Sequence, residues 1–282
     1  MKTTETLKRK AGEKTAPSAK WNAADYAANS VVQQAWAREL IARLNLRGDE
    51  HILDVGCGDG KVTAEIARAL PNGSATGVDA SAEMIAFAKR TFPNKQHPNL
   101  EFHVMDARKI KFARRFDFIF SNAALHWVDD HQKILQGAAD VLKPGGRFVV
   151  SCGGKGNAQD VFVALRPEMR LKRWRGFFRK MPRPYFFYSP SDYEKWLPKA
   201  GFAVGSLKLA PKDATYPGAD GFATWLRTTW IPYVQCVPES AREEFIAAVT
   251  QRYVAKHPPD AEDKVHVRMV RLEIEATRVN SA

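Results

Sequence analysis

The chain has few of the features that mark membrane-spanning, secreted or disulfide-stabilised proteins. Its 282 residues contain no apolar run of the roughly 18 residues needed to span a bilayer, and residues 1–10 lack the apolar core of a signal peptide. The three cysteines, Cys57, Cys152 and Cys236, form no C-x-x-C pair, so neither a disulfide framework nor a cysteine-based zinc site is expected. These absences predict a cytoplasmic protein without a membrane span or a metal site.

The sequence also lacks a recognisable nucleic-acid-binding module, although it is strongly basic. Lysine and arginine outnumber the acidic residues by 43 to 31, which gives a formal net charge of +12. Part of this excess lies in residues 1–20, where we expect a disordered leader, and part in residues 166–183. The second segment has three interpretations: a solvated helix face, a funnel for an acidic substrate, or a nucleic-acid surface. With no zinc finger and no RNP-type aromatic block, no nucleic-acid partner is expected.

The most informative stretch that is present is H-I-L-D-V-G-C-G-D-G, residues 51–60. It predicts an apolar strand that runs into a glycine-rich turn and then a helix, and such a turn lets the backbone approach a nucleotide-like ligand closely. Nineteen residues after Gly60, a second apolar run ends at Asp79, where dinucleotide enzymes place an acid that binds ribose hydroxyls. Asp54 beside the turn would repel a pyrophosphate but suits a cationic, amino-acid-bearing ligand. A nucleoside-cofactor site is therefore predicted, with a plain tight turn as the alternative.

Strands and helices alternate through the first half of the chain. Apolar residues recur at helical spacing over 60–70 and 131–142, and Ser81 is a suitable N-cap for a helix that ends at Pro93. This alternation predicts a parallel sheet with helices on both faces, where ligands bind at the carboxyl ends of the strands. Polar residues fall at those ends, namely Asp54, Asp79, Asp106, Ser121 and Asn122.

The pattern changes after Cys152. Residues 155–188 are basic and aromatic without a strand-like alternation, after which 191–200 predict a helix and 202–209 a strand. A helical insertion is expected over 218–257 and a last strand over 265–276. A chain of this length, 45% hydrophobic, is expected to form one large core with an appended cap.

Several blocks together resemble the class I S-adenosylmethionine-dependent methyltransferases. The sequence D-V-G-C-G-D-G resembles motif I of that family, and Asp79, the pair Asp106-Ala107, the fourth strand at 116–122 and the turn into the fifth at 142–150 stand where the family has its later blocks. The match covers about residues 20–152, and the rest resembles small-molecule carboxyl methyltransferases that act on trans-aconitate.

The resemblance implies a fold and a division of the chain. The fold class is α/β: a doubly wound, mostly parallel seven-stranded sheet of order 3-2-1-4-5-7-6, with the last strand antiparallel and a helical cap. Residues 21–152 would form the Rossmann-like cofactor-binding core with an N-terminal lid helix, 153–190 and 218–257 the cap insertions, and 191–217 and 258–282 the remainder of the sheet.

The resemblance also implies S-adenosylmethionine as the cofactor and assigns residues to it. Asp79 would bind the ribose diol, Asp106 the adenine amine with the Ala107 backbone on a ring nitrogen, and Asp54 would lie near the ammonium group. Met84 is assigned either to the adenine and ribose or to the core. The other predicted cofactor contacts are Gly56, Cys57, Gly58, Ala80 and Asn122, together with Trp21, Tyr26 and Gln33 of the lid.

The methyl acceptor is expected next to His126 and Trp127, which follow the fourth strand. His126 has three interpretations: a general base, a pocket wall that donates a hydrogen bond, or a structural residue. Cationic anchors for an acidic substrate are predicted on the cap, because arginine binds carboxylates bidentately. Arg227 is the leading candidate, followed by Arg173, Arg175 and Tyr188, and Trp230 is also expected at the substrate site.

The predicted function is in-line O-methylation of a carboxylate on a small acidic metabolite. A rival within the same class methylates the malonyl carboxyl on acyl carrier protein, an acidic partner that would suit the basic cap. Two other hypotheses are a cofactor-binding protein without catalysis, against which the intact motif I argues, and nucleic-acid methylation. The latter lacks its N-P-P-Y-type block, since residues 121–124 read S-N-A-A.

Overall fold

The computed structural model describes residues 31–279, with side chains from residue 34 onward. Its helices are α1 (Val31–Ala42), α2 (Lys61–Arg68), α3 (Ala82–Thr91), α4 (His131–Val141), α5 (Gln159–Arg170), α6 (Arg175–Phe178), α7 (Pro190–Lys199), α8 (Gly218–Thr229), α9 (Ile231–Val234) and α10 (Arg242–Val254). Its strands are β1 (His51–Val55), β2 (Ser74–Asp79), β3 (Leu100–Val104), β4 (Phe116–Asn122), β5 (Leu142–Gly153), β6 (Phe202–Pro217) and β7 (Lys264–Arg278). None of these helices is both long and apolar enough to cross a bilayer.

The strands form one seven-stranded sheet in the order β3-β2-β1-β4-β5-β7-β6. The first five strands pair in parallel, and β7 pairs antiparallel with both β5 and β6. Parallel pairing places the carboxyl ends of β1, β2, β3 and β4 at one edge of the sheet. The predicted fold class, strand order and antiparallel last strand are confirmed.

Both faces of the sheet are buried, as expected for a parallel sheet with crossover helices. Adjacent residues contribute to opposite layers: Leu53 and Ile119 pack on one face, whereas Ile52, Phe118 and Phe120 pack on the other. The predicted N-cap at Ser81 is present in the structure: its side chain accepts a hydrogen bond from the Met84 amide (3.2 Å) and caps α3.

Strand β6 is much longer than predicted and forms a long antiparallel pair with β7. The sixth strand was expected to end at residue 209, but it continues to Pro217 and pairs with β7 along its whole length. Its apolar and polar residues do not alternate regularly, and it includes Pro211. An edge strand tolerates proline because its outer side forms no hydrogen bonds to another strand. The outer part of this strand pair packs against α5, α8 and α10 in a separate hydrophobic cluster that includes Phe162, Phe222, Phe245 and Val265. The cap is thereby built on the sheet itself.

Candidate functional site

The glycine turn after β1 is held against two neighbouring strands. The amides of Gly56 and Cys57 both donate to the Val78 carbonyl of β2, at 2.7 and 3.0 Å. Gly56 has φ +79°, and a Cβ added there would lie 2.1 Å from the Ala124 Cβ, just past β4. Only glycine fits this contact and this backbone conformation. The glycine turn is therefore packed directly against the segment that follows β4, at the carboxyl ends of β1 and β2.

Two predicted cofactor residues bring negative charge to this edge. Asp54 is 2% exposed and its Oδ2 accepts a hydrogen bond from the Thr63 hydroxyl at 2.7 Å. Asp79 accepts from the backbone amides of Gly58 (3.1 Å) and Ser81 (2.8 Å), so its carboxylate fastens the glycine turn to β2. Within residues 34–279, neither carboxylate forms an ion pair with a basic side chain.

The electrostatics of this pair favour a cationic ligand. The pKa of Asp54 is raised to about 7, mainly by burial and in smaller part by the nearby Asp79, while the hydrogen bond from Thr63 opposes the shift. Burial likewise raises the pKa of Asp79, although its two backbone donors oppose the shift. A positive ligand with hydroxyl groups would lower the cost of ionising both acids. The residues thus fit S-adenosylmethionine, which carries a sulfonium, an ammonium group and a ribose diol.

Asp106 lies at the same edge but already has a strong partner. The Met105 amide beside it donates to the Asp79 carbonyl at 2.9 Å, which fixes the end of β3 next to β2. The Asp106 carboxylate faces the Arg108 guanidinium at 2.7 Å and accepts the Arg108 amide at 2.9 Å; the side-chain hydrogen bond is the main reason that its pKa lies below the ordinary value. Ala107 starts the 3₁₀ turn that carries Arg108. If Asp106 accepts a hydrogen bond from the adenine amine, its carboxylate must therefore bind the adenine and Arg108 at the same time.

The other residues predicted at the cofactor surround the same edge or fall outside the described part. Met84 is buried in the first turn of α3, and Ala80 is exposed just after β2. Cys57 is a buried thiol whose pKa burial raises well above the ordinary value, which argues against a nucleophile. Trp21 and Tyr26 lie outside the described residues, as does the side chain of Gln33.

A cleft opens beyond β4, beside the glycine turn, and holds about 700 Å³ including its mouth. Ala123 borders it next to the strand end, and the walls are mostly aromatic, with Trp36, Trp127, Tyr185, Phe187, Trp225 and Trp230. Trp36 comes from α1, Trp225 and Trp230 from α8 and its end, and Tyr185 and Phe187 from the segment before α7. The predicted pocket residues His126, Trp127 and Trp230 are thus brought together. A deep apolar cleft at a strand end is typical of a ligand site.

His126 lies in this cleft with its ring packed among Trp127, Tyr185 and Phe187. Burial, with a further contribution from the nearby Arg271 guanidinium, lowers the pKa of His126 to about 3. Its Nδ1 accepts a hydrogen bond from the Gly153 amide at 3.2 Å, so Nε2 carries the proton of the neutral ring and acts as a donor. The structure therefore favours His126 as a hydrogen-bond donor over a general base.

Arg271 is a cleft residue that sequence reasoning missed. It is 4% exposed on β7, where Nε donates to the Ser151 hydroxyl at 3.1 Å and Nη2 donates to the Ser151 carbonyl and to Asn122 Oδ1, at 2.5 and 3.2 Å. Its guanidinium carbon lies 5.2 Å from the Trp36 ring centroid. The sequence did contain a signal for this position. Arg271 is two residues from Met269 and four from Val267, both buried, so its side chain lies on the same face of the strand.

The cap arginines predicted as substrate anchors do not line this cleft. Arg227 forms a bidentate ion pair with Glu243, at 2.9 and 2.6 Å, and 40% of its side chain is exposed. Arg173 pairs with Glu244 at 2.7 Å and with Glu168 at 3.6 Å. Arg175 is exposed at the start of α6. The Tyr188 hydroxyl donates to the Asp129 carbonyl. The structure thus places these four residues outside the cleft lining, and acidic residues of neighbouring cap helices pair with Arg227 and Arg173.

Comparison with known proteins agrees with this geometry. A family profile described as a methyltransferase domain matches residues 52–146. An uncharacterized methyltransferase of Schizosaccharomyces pombe is 33% identical over 192 residues, which are 67% of this chain and 72% of that protein. The trans-aconitate 2-methyltransferase of Methylobacterium nodulans is 28% identical, and the match covers 92% of this chain and 99% of that protein. The solved structure of the YcgJ protein of Bacillus subtilis is similar in fold, with a TM-score of 0.61 at 18% identity over 88% of this chain and 100% of that one.

Proposed function

We propose that this chain, which belongs to the class I S-adenosylmethionine-dependent methyltransferases, transfers a methyl group to a carboxylate oxygen of a small acidic molecule. S-adenosylmethionine is its cofactor and supplies a sulfonium-bound methyl group to an in-line nucleophile. The observation that carries the choice of acceptor is the absence of a competent general base among the described residues that line the cleft.

Three kinds of base are excluded in turn. No aspartate or glutamate is among those lining residues. His126 has a pKa near 3 and presents a protonated Nε2, so it is a very weak base. Burial raises the pKa values of Tyr185 and Tyr216 above the ordinary value, which keeps both hydroxyls protonated. An amine, phenol or carbon acid would have to lose a proton in the cleft, whereas a carboxylic acid is already ionised at neutral pH. The cleft therefore suits a carboxylate.

The reaction then needs positioning more than proton transfer. A carboxylate oxygen of the acceptor attacks the methyl carbon, the carbon–sulfur bond breaks with its electron pair on sulfur, and no proton moves. Aromatic walls exclude water, which removes solvation that would stabilise the attacking anion. The His126 Nε2 donor and the Arg271 guanidinium can orient the carboxylate, and placing reactants about 3 Å apart is worth several kcal/mol. The similarity to trans-aconitate 2-methyltransferases supports the same acceptor chemistry.

A second candidate is an acid presented on acyl carrier protein. The segment 166–183 has eight exposed basic residues, namely Arg166, Arg170, Lys172, Arg173, Arg175, Arg179, Lys180 and Arg183, and would attract an acidic carrier. Turnover of a carrier-bound acid would fall steeply with moderate salt, because exposed charges are screened, whereas turnover of a free acid would change little.

Transfer of label from methyl-labelled cofactor tests the acceptor class. The panel contains di- and tricarboxylates, fatty acids, aryl acids and malonyl acyl carrier protein, and we expect a labelled product that mild base hydrolyses. Base-stable label on nitrogen or carbon would contradict O-methylation while leaving the cofactor assignment standing. The corresponding primary amides are the matched controls and should accept no label.

The pH dependence of turnover provides a separate test. Because His126 is neutral above about pH 3 and the acceptor ionises below about pH 5, kcat at saturating cofactor and acceptor should change less than about twofold between pH 6 and pH 8. Initial rates in buffers of constant ionic strength measure it. A tenfold rise in kcat per pH unit within this range would require a base that titrates there and would contradict the proposed role of His126.

A further inference from the structure

The outer surface of the cap formed by residues 163–183 combines positive charge with exposed apolar side chains. It carries the eight exposed basic residues of segment 166–183, and the one acid of this stretch, Glu168, is buried. Among residues 34–279, the ion pairs of these cations are those of Arg173 with Glu244 and Glu168. Large apolar side chains are exposed in the same stretch, namely Val163 (43%), Leu171 (39%) and Phe177 (43%).

Helix α5 presents one charged and apolar stripe to solvent. Val163, Arg166 and Arg170 are exposed and stand three and four residues apart, so they lie on the same side of the helix. The opposite side carries Phe162 and Leu165, which are buried in the cap cluster. The helix is therefore anchored by its inner side and leaves its outer side uncovered by the described residues.

The chain after α5 is held on the same cluster. The rings of Trp174 and Phe178 each lie 5.4 Å from the Phe245 ring of α10, and all three belong to the cap cluster that includes the inner side of α5. The side chains beside these two anchors are exposed: Leu171, Lys172, Arg173, Arg175, Phe177, Arg179 and Lys180. The cations and the apolar side chains of 163–183 therefore lie together on the outside of the cap.

This composition fits an anionic lipid bilayer. Lysine and arginine bind phosphate-bearing headgroups, and each such residue near an anionic surface strengthens binding about fivefold. Apolar side chains that stand among cations enter the boundary between the headgroups and the acyl chains. A single-stranded nucleic acid would also complement the charge, but its bases stack on exposed aromatic rings, and here Trp174 is buried in the cap while Phe178 packs against it.

The charge of residues 1–30 does not complement this surface. That part of the chain carries six lysine and arginine residues and three acidic residues, so it is basic like residues 163–183. The complementary charge must come from a partner.

We propose that residues 163–183 dock this protein reversibly on an anionic membrane surface. Docking of this kind lies beyond the proposed methylation and does not rest on it, because it needs neither cofactor nor acceptor. It would also bring the cleft close to the bilayer: Phe162, on the inner side of α5, packs against the cleft residues Tyr185 and Trp230, with ring centroids 6.4 and 4.9 Å away.

Co-sedimentation of the full chain with lipid vesicles tests the docking. One set of vesicles is phosphatidylcholine alone and the other contains about 30% phosphatidylserine, both at about 0.1 M salt. We expect the partition coefficient to be at least about tenfold higher on the anionic vesicles and to fall at least about fivefold when the salt is raised to about 0.5 M. Equal partitioning on the two lipids, or no binding to either, would overturn the proposal.

Removal of cations from the surface tests its location. One variant replaces three of its cations, and the matched control replaces three exposed cations on and just after α3; the two sets are Arg170→Gln, Arg179→Gln and Lys180→Gln, and Lys89→Gln, Arg90→Gln and Lys95→Gln. Both change the net charge equally. The first should weaken partitioning on anionic vesicles at least about thirtyfold and the second less than about threefold. Equal losses would show an effect of net charge and would overturn the proposed surface.

The apolar side chains distinguish a bilayer from other acidic partners. Leu171→Ser combined with Phe177→Ser should lower partitioning on anionic vesicles at least about tenfold, because both side chains lose their burial in lipid. The matched control is Val204→Ser combined with Leu209→Ser, which removes exposed apolar side chains of β6 (44% and 37%) and should change partitioning less than about twofold. Undiminished binding by the first pair would overturn insertion. If that pair does not fold, the two lipids and the cation variants still decide.

Competition identifies the alternative occupants of this surface. Single-stranded RNA and acyl carrier protein are added separately to the vesicle-bound protein, each at about tenfold molar excess over the protein, and we expect neither to displace it. Displacement by either one, with binding of that competitor lost in the Arg170, Arg179 and Lys180 variant but kept in the Leu171 and Phe177 variant, would overturn membrane docking and assign the surface to that partner.

Discussion

Replacing Asp79 with alanine is expected to weaken binding of S-adenosylhomocysteine about a hundredfold. Each hydrogen bond between a carboxylate and a ribose hydroxyl contributes about 1.5 kcal/mol or more, so losing two costs about 3 kcal/mol, which is about two factors of ten in Kd. The loss also frees the amides of Gly58 and Ser81, which the carboxylate now holds. Titration calorimetry measures the change.

Two further variants separate ribose binding from turn stability. Asp79→Asn retains an oxygen that can accept one backbone amide, so it should fold like the unmodified chain and still lose most of the affinity. Asp140→Ala removes an exposed acid of α4 whose side chain accepts a hydrogen bond from Gln136, and it should leave Kd unchanged. An Asp79→Ala protein that binds S-adenosylhomocysteine normally would remove the basis for placing the cofactor at this edge.

Replacing Asp54 with asparagine is expected to stabilise the cofactor-free protein at pH 8. Burial raises the pKa of Asp54 from 3.8 to about 7, so the folded protein retains a proton that the unfolded chain releases near pH 4. The stability this provides is complete below about pH 4 and is lost as pH rises through 7, a loss of about 4 kcal/mol at one site. Asparagine stays neutral throughout and can still accept from the Thr63 hydroxyl.

Denaturant unfolding at several pH values checks this expectation. The difference in unfolding free energy between Asp54→Asn and the unmodified chain should grow between about pH 4 and pH 7 and then level off. Asp140→Asn should show no such growth. Affinity for S-adenosylmethionine should fall in Asp54→Asn, because a cationic ligand gains from an ionised Asp54. A difference that is independent of pH would contradict the assignment of the raised pKa to this residue.

These two acids are expected to connect the stability of the fold with cofactor binding. In the cofactor-free protein, burial raises the cost of ionising both Asp54 and Asp79, and the nearby Asp79 adds to the cost for Asp54. Buried groups with perturbed pKa values concentrate at functional sites for this reason. Cofactor binding should therefore release protons near neutral pH, because Asp54 ionises. It should also raise the free energy of unfolding by more than the buried contact area of the cofactor alone would give.

Much of the fold was predictable from the sequence, and so were the acids at the carboxyl ends of the first three strands. The glycine turn, the helix cap at Ser81 and the acids at strand ends are local signals, each written within a few consecutive residues. Parallel pairing then brings residues such as Asp54, Asp79 and Asp106 to one edge, because successive strands end on the same side. Strand β6 was misjudged because it is an exposed edge strand whose sequence lacks the apolar alternation on which the prediction depends.

The sequence by itself determined the sheet, the glycine turn and the acidic edge, since these follow from short-range periodicity and turn chemistry. The tertiary structure alone decided which of these arginines lines the cleft. Arg227 and Arg173 are directed to glutamates of neighbouring helices, whereas Arg271 is buried beside Ser151 and Asn122, more than a hundred residues away in the chain. Long side chains at comparable positions look alike in sequence, and only strand pairing and helix packing determine which of them lies on the cap surface and which is buried beside a cavity.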